Sequence, residues 1–411
     1  MSMIQSMIQS VRIATLAAAM LVAALLPVRA ADTAGVDDTA KFLAGLMPSA
    51  DSPLMPLTKD PSWQRHARFF DSAFGQLETR QLSKIRSWSD THLAAPRSTM
   101  FYMFSGPDFL YANAFYSKAT TYVLSALEPP GSVPDLMKLP RGGIGSALNN
   151  VEHSLGSIIN FSFFITKQMK TDLRAGQIGG TLPVLYVFLA RSGKTLKSVV
   201  PITLDDQGAV NVGGENAGPN AVRGARIIFT GADGVEKTLY YFSTDLSNSG
   251  VKTSGFLKFC AMLAPGNSLI KSASYLLHSG NFTTIRDFIL ANSATIIQED
   301  SGVPLTYYSP KKWRFFPFGR YAGPIGEFPG RYQESYAELF RRAQPIDFGI
   351  GYRWRTHESN LLLSVRLPED GSATPEATSS TDTPPPPPRP KKPRPPAPVA
   401  PQSRGFLWFG R

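Results

Sequence analysis

The stretch FSGPDFLYANAFY at residues 104–116 joins a strand-like apolar segment to an aromatic, helix-like run, and another strand-like segment follows at residues 121–127. A strand, a helix and a second strand in this order can place two parallel strands in one sheet. The corner between the first strand and the helix runs from Ser105 to Asp108. It has the Ser-x-x-Asp spacing of a capping box, in which both side chains satisfy N–H groups at the helix start.

The same corner is also a candidate functional site. In α/β proteins, ligands bind where the carboxyl end of a strand leads into a helix. Ser105 is therefore a candidate binding residue and Asp108 a candidate catalytic residue. A carboxylate repels anions, so this position favours a cation, a sugar hydroxyl or acid–base chemistry over phosphate.

The chain between residues 32 and 367 mixes helical and strand periodicities. Apolar residues recur at three- and four-residue spacing in some segments, which indicates helices, whereas short apolar runs bounded by turn residues indicate strands. We therefore predict an α+β fold with a mixed sheet, a β-rich middle and flanking short helices. Helices are predicted at 62–88, 149–157, 253–292 (three short ones) and 334–342; strands at 101–104, 121–127, 182–190, 225–243 (a hairpin), two flanking the turn within 294–308, 346–354 and 360–367; and loops at 142–150 and 311–332.

The amino-terminal segment predicts export. Arg12 precedes an apolar run at residues 13–26, and the small residues at 28–30 fit a cleavage site, so residues 1–30 read as a signal peptide. The apolar run is shorter than the ~20 residues that a membrane helix needs, and no later segment approaches that length. We expect a globular domain at residues 31–367, periplasmic or secreted, with no transmembrane segment in the mature chain.

The carboxyl-terminal segment, residues 368–411, is rich in Pro, Lys and Arg and poor in large apolar residues until its end. Such a composition cannot bury enough surface to offset the entropy of ordering, so a disordered, semi-rigid spacer is predicted. The chain then ends in GFLWFGR, which predicts a hydrophobic docking tip. Its candidate binding residues are Phe406, Leu407, Trp408 and Phe409.

The net charge indicates acidic partners. The sequence carries a net charge of +11, and removal of the leader with Arg12 and Arg29 leaves +9. This charge favours an envelope protein or an anionic membrane or glycan surface, bound through the basic tail and an aromatic loop. Nucleic acid is an unlikely partner because an exported protein rarely meets it.

The aromatic loop at residues 311–332 interleaves aromatic and basic residues, with Trp313, Arg314 and Arg320 as candidate binding residues. Aromatic side chains beside cations suit stacking on sugars or attachment to an anionic membrane. In the alternative interpretation, this is a covering loop whose aromatic rings pack inward and leave the charges in water.

Paired carboxylates at Glu299 and Asp300 suit acid–base hydrolysis, although two strands joined by a turn would also explain them. His278 is a further acid–base candidate, and the alternative places it in the last turn of a helix, where an imidazolium favours the helix dipole. The five histidines show no metal-ligand spacing, and RSGKT at residues 191–195 lacks the glycine that a phosphate-binding loop requires. No metal or cofactor is therefore predicted.

Four blocks, SGPDFLYANAF, LPVLYVFLARSG, LYYFSTDLSNSGV and ASYLLHSGNFTTIRDFIL followed by IIQEDSGVPL, resemble a group of exported proteobacterial proteins. The resemblance implies an envelope or secreted location and transfers no catalytic residue.

Two functional hypotheses follow from these patterns. The first is an exported envelope binding or interaction protein with a carboxyl-terminal docking tail. The second is a periplasmic hydrolase in which Asp108, His278 and the Glu299/Asp300 pair converge in the fold. Convergence is the condition that separates the two, because acid, base and substrate must lie within hydrogen-bond reach or one water of each other.

Overall fold

A computed structural model describes residues 33–93, 95–133, 135–140, 142–164, 179–213, 218 and 220–368. Structural statements below refer to these residues. The predicted signal peptide and the predicted docking tip at residues 406–409 lie outside them.

Ten α-helices lie within the described residues. A π-helical turn, Glu78–Leu82, joins the second and third helices. The α-helices are α1 Thr33–Leu43, α2 Pro61–Leu77, α3 Ser83–His92, α4 Phe109–Phe115, α5 Gly143–Phe161, α6 Leu182–Arg191, α7 Asn248–Thr253, α8 Phe256–Met262, α9 Thr283–Asn292 and α10 Glu334–Leu339.

Ten strands form one mixed sheet with the order β4-β3-β5-β6-β2-β1-β7-β8-β10-β9. The strands are β1 Thr99–Tyr102, β2 Thr121–Ala126, β3 Thr195–Leu204, β4 Val210–Val212, β5 Val222–Thr230, β6 Glu236–Ser243, β7 Gly266–Ile270, β8 Ser293–Gln298, β9 Trp313–Gly319 and β10 Asn360–Arg366.

The centre of the sheet is parallel. Strands β6, β2, β1, β7 and β8 all run in the same direction, and antiparallel pairs extend the sheet on both sides. Every residue of β1 and β7 is buried, as expected for parallel strands covered on both faces. The predicted strand-helix-strand unit is confirmed as β1, α4 and β2, and the predicted hairpin as β5 and β6.

The chain reverses its direction of travel across the sheet between β1 and β7. From β1 it proceeds to β2 and β6 on one side, and it then returns to β7 and β8 on the other. Such a topological switch point leaves a crevice at the carboxyl ends of the two diverging strands, where open α/β sheets bind ligands.

Helices cover both faces of the sheet. The larger core contains Phe42 of α1, Phe70 of α2 and Leu185 of α6, and the core on the other face contains Phe259 of α8 and Ile289 of α9. The fold is α+β with a mixed sheet, as predicted from the sequence.

Several local predictions were wrong. Residues 182–190 form helix α6 instead of a strand: the helix is buried on all sides, so it shows no amphipathic period, and Pro183 fits its first turn. Glycine-rich residues 143–150 begin α5 instead of forming a loop, and residues 266–270 form β7 instead of a helix. Residues 313–319 form β9, whereas residues 346–354 lie outside the named strands and residues 305–307 form a 3₁₀ turn instead of a strand.

Candidate functional site

Four buried ionisable residues lie together at the carboxyl ends of β1, β7 and β8. Lys271 directly follows β7, and Glu299 and Asp300 directly follow β8, while Asp108 begins the helix after β1. All four are at most 3% exposed. We call these four residues the switch-point cluster.

Asp108 and Lys271 form a buried ion pair across the switch point. The Lys271 Nζ lies 2.9 Å from the Asp108 Oδ2, and the Tyr102 hydroxyl donates to the same oxygen at 2.8 Å. The ammonium also donates to the backbone carbonyl of Ser162, and it lies 3.8 Å from the centre of the Tyr111 ring. Burial lowers the pKa of Lys271, and the carboxylate of Asp108 opposes that effect.

The predicted capping box is only partly correct. Asp108 is itself the N-cap of α4, and its Oδ1 accepts a hydrogen bond from the backbone N–H of Tyr111 at 3.1 Å. Ser105 lies farther upstream, where its hydroxyl donates to the carbonyl of Gly106 and accepts from the N–H of Ser125. Ser105 therefore links the segment after β1 to β2. Asp108 both caps helix α4 and pairs with Lys271.

Glu299 is held by groups that follow β7 and β8. Its Oε1 accepts from the backbone N–H of Ser272 at 2.9 Å and from the hydroxyl of Ser301. The backbone of Gly351 lies so close that an added Cβ would be 2.6 Å from the Glu299 Cγ. Burial, followed by repulsion from Asp300, raises the pKa of Glu299 to about 8.

Asp300 has a separate set of donors. The Tyr275 hydroxyl donates to its Oδ2 at 2.6 Å, and the side-chain amide of Asn360 donates to its Oδ1 at 2.9 Å. Asn360 opens β10, which runs antiparallel to β8, so its side chain reaches the same edge of the sheet. The two adjacent carboxyls thus have different partners.

Left-handed backbone is concentrated around this edge. Phe104, after β1, has φ 61°, and the segment after β7 contains Ser272, Ser274 and Tyr275 with φ of 53°, 50° and 51°. Non-glycine residues in this region cost on the order of 1–3 kcal/mol each and cluster at ligand sites and active sites. The strain is a second observation, independent of charge, that marks the switch point.

His278 lies beside the cluster, but its protonation state differs from the predicted one. It ends a 3₁₀ turn, Leu276–His278, and its ring centre is 5.1 Å from that of Tyr275. Burial, followed by the charge of Arg331, lowers the pKa of His278 to about 4, so the ring is neutral at pH 7. The prediction of an imidazolium at a helix end was wrong, because burial outweighs the dipole.

The fold brings Asp108, Glu299 and Asp300 into one cluster through Lys271 and Ser272, and the His278 ring packs on Tyr275, which donates to Asp300. Asp108 pairs with Lys271, and the backbone N–H of the next residue, Ser272, donates to Glu299. Asp300 is the chain neighbour of Glu299. Sequence reasoning missed Lys271 because its segment reads as a helix. The signal that could have identified Lys271 as a site residue is its position directly after a short apolar segment. That position indicates a site only once the segment is known to be strand β7, paired with β1.

Part of the aromatic loop predicted at residues 311–332 is an edge strand, β9, and residues 320–332 lie outside it. Trp313 is 4% exposed, where Arg366 covers one face of its indole and Tyr308 packs edge-on against it, so it is not a surface binding residue in this structure. Arg314 and Arg320 are exposed. The inward-packing alternative holds for Trp313 and Phe318, which are buried, and not for Tyr332, which is exposed.

The fold and the cluster define a mixed α+β domain with a polar site at a topological switch point. Comparisons with protein-family models, curated proteins and solved structures find no match to this chain. Among the described residues, no three His, Cys, Asp or Glu side chains are grouped so that they could hold a metal ion. The helices of the described ranges are also too short or too polar to cross a bilayer.

Proposed function

We propose that the chain is an exported binding protein of the cell envelope, whose domain binds a small polar ligand at the switch-point cluster. The observation that carries the proposal is the buried Asp108–Lys271 pair beside Glu299 and Asp300, at the edge where α/β sheets bind ligands. Burying charges is expensive, and hydrophobic side chains of similar size often stabilise a core as well or better. A ligand-binding role gives a reason for the buried charges beyond stability.

The charges of the cluster restrict the ligand. With a pKa of about 8, Glu299 is protonated at neutral pH, so the carboxylates of Asp108 and Asp300 lie beside one ammonium, and a phosphate or other compact anion would meet net repulsion. Hydroxyl or ammonium groups can donate to Glu299 and Asp300, and a hydroxyl oxygen can accept from Lys271. Sugars, amino sugars and amino acids fit these requirements.

The cluster is covered in this structure. The carbonyl of Ser162, at the end of α5, contacts Lys271, and the Tyr352 hydroxyl donates to the carbonyl of Ser272 at 3.1 Å. A ligand therefore reaches the carboxyls by displacing these covering contacts. Binding at this site requires local opening, and the strained backbone after β7 is the segment that we expect to rearrange.

A thermal-shift screen tests ligand binding. Neutral sugars, amino sugars, amino acids and inorganic phosphate would be added to the mature protein, and we expect a member of the first three classes to raise its Tm in a concentration-dependent way, with no effect of phosphate. Glu299→Gln should raise the ligand concentration needed for the same shift at least about tenfold, since it replaces one buried carboxyl oxygen by an amide nitrogen that cannot accept a hydrogen bond. Glu236→Gln, at an exposed position, is the matched control. No shift from any compound, or equal shifts in both variants, would contradict the proposal.

The proposed partner is an envelope protein or an anionic surface, reached through the basic tail and the β9 segment. The exposed positions of Arg314 and Arg320 support contact through the β9 segment. The contribution of the tail rests on its sequence.

Acid–base hydrolysis in the periplasm is a second candidate function. It is favoured by the lowered pKa of Lys271 and the raised pKa of Glu299 in one cluster, since shifts that bring such groups toward neutral pH suit proton transfer. Turnover of nitrophenyl glycosides or esters that disappears in Glu299→Gln and persists in Glu236→Gln would support it. Absence of turnover with an intact thermal shift would leave binding as the function.

A further inference from the structure

We infer that the outer edge of β9 binds an anionic phospholipid bilayer by charge alone, without inserting aromatic side chains. This inference deepens the envelope function proposed above and rests on it. The surface concerned, which we call the basic edge, consists of Lys311, Lys312, Arg314, Arg320, Arg341 and Arg342.

The basic edge follows the last strand of the sheet. Lys311 and Lys312 precede β9, Arg314 lies within it, and Arg320 follows it; all are exposed. Seven residues of strand extend about 20 Å, so these charges are spread along one side of the domain.

A second row of charge flanks the free side of β9. Gln344 bonds to the β9 backbone, where its carbonyl accepts from Gly319 at 2.8 Å and its N–H donates to Pro317 at 3.0 Å. This contact brings the preceding turn, Phe340–Arg342, beside the strand and adds two exposed arginines to the edge.

The positive charges are largely uncompensated. Arg341 pairs with the exposed Glu338 at 2.7 Å. Within the part of the chain that the structure describes, no acidic side chain lies within ion-pair distance of the other five members. Uncompensated exposed charge of one sign raises the local concentration of anions at that surface.

The packing of the aromatic rings distinguishes a bilayer from a glycan. Sugar recognition needs a concave site with exposed rings for stacking. Of the rings in β9, Trp313 and Phe318 are buried and Phe315 and Phe316 are partly buried, whereas Tyr332, which lies outside the strand, is exposed. A row of exposed cations along a strand whose own rings are buried or partly buried matches the flat, continuous charge of lipid phosphates.

Vesicle co-sedimentation of the full mature chain tests the inference. The edge variant carries Arg314→Gln, Arg320→Gln and Arg342→Gln. The matched control variant carries Lys197→Gln, Arg223→Gln and Lys252→Gln, which are exposed on other elements and change the net charge equally. The basic tail is identical in all three proteins.

On phosphatidylglycerol vesicles, the edge variant should bind about a hundredfold more weakly than the unmodified chain, because each basic residue near an anionic bilayer contributes about fivefold. The control variant should lose far less affinity, and about 1 M salt should abolish the difference between the two variants. On uncharged phosphatidylcholine vesicles the three proteins should not differ.

Equal losses of vesicle affinity in the edge and control variants would overturn the inference, because binding would then depend on net charge and not on this edge. A difference between the edge and control variants that persists at high salt would also overturn it, since the edge would then bind by more than charge. Edge-dependent binding to an acidic polysaccharide without vesicle binding would refute the lipid partner and leave the envelope function intact. A ligand-induced thermal shift retained by the edge variant would show that the switch-point proposal stands separately.

Discussion

Replacement of Lys271 by Met is expected to lower the free energy of unfolding by about 3–5 kcal/mol, because it leaves the carboxylate of Asp108 buried without its counter-charge. The carbonyl of Ser162 also loses its donor. Urea unfolding at neutral pH, followed by circular dichroism, measures the change.

Two controls separate this effect from simple loss of a lysine. Lys237→Met removes another buried lysine, but its partner Asp233 is half exposed and can be solvated, so a smaller loss is expected. The double variant Asp108→Asn/Lys271→Met removes both charges and should regain part of the stability. A loss below about 1 kcal/mol for Lys271→Met would show that the pair is not held as described.

Glu299→Gln is expected to change the pH dependence of stability. The folded pKa of Glu299 is raised to about 8 from an ordinary value of 4.5, so between these pH values the folded state holds a proton that the unfolded state has released. The contribution of Glu299 to the free energy of unfolding is therefore fully present below about pH 4.5 and is lost as the pH rises through about 8. Between these pH values, Glu299 lowers the free energy of unfolding by at most about 1.4 kcal/mol per pH unit.

Glutamine does not titrate, so Glu299→Gln should become more stable relative to the unmodified protein as the pH rises from 5 to 8. Urea unfolding at several pH values measures the difference, and Glu236→Gln, exposed at the start of β6, should show none. Parallel curves for Glu299→Gln and the unmodified protein would mean that Glu299 is ionised throughout this range in the folded state.

Local sequence signals sufficed for part of the fold. The β1-α4-β2 unit could be predicted because a turn with Gly106 and Pro107 separates two different periodicities within a few residues. Helix α6 was mistaken for a strand because burial on every side removes the amphipathic pattern that distinguishes the two.

The switch point itself could not be predicted. It depends on pairing Met100 of β1 with Asn267 of β7, which are far apart in sequence and carry no local signal of each other. Composition and position singled out Asp108, Glu299 and Asp300 as candidates, whereas Lys271 became a site residue only through that pairing. The basic residues of β9 were recognised, but the direction of the aromatic rings required the strand register.

The most direct test of the central claim, that the switch-point cluster is a ligand site, is a crystal structure of the protein with the compound that gives the largest thermal shift. We predict the compound within hydrogen-bond distance of Lys271, Glu299 or Asp300, with the contacts from Ser162 or Tyr352 displaced. A compound bound elsewhere, above an unchanged and closed cluster, would contradict the account and leave the buried charges with a purely structural role.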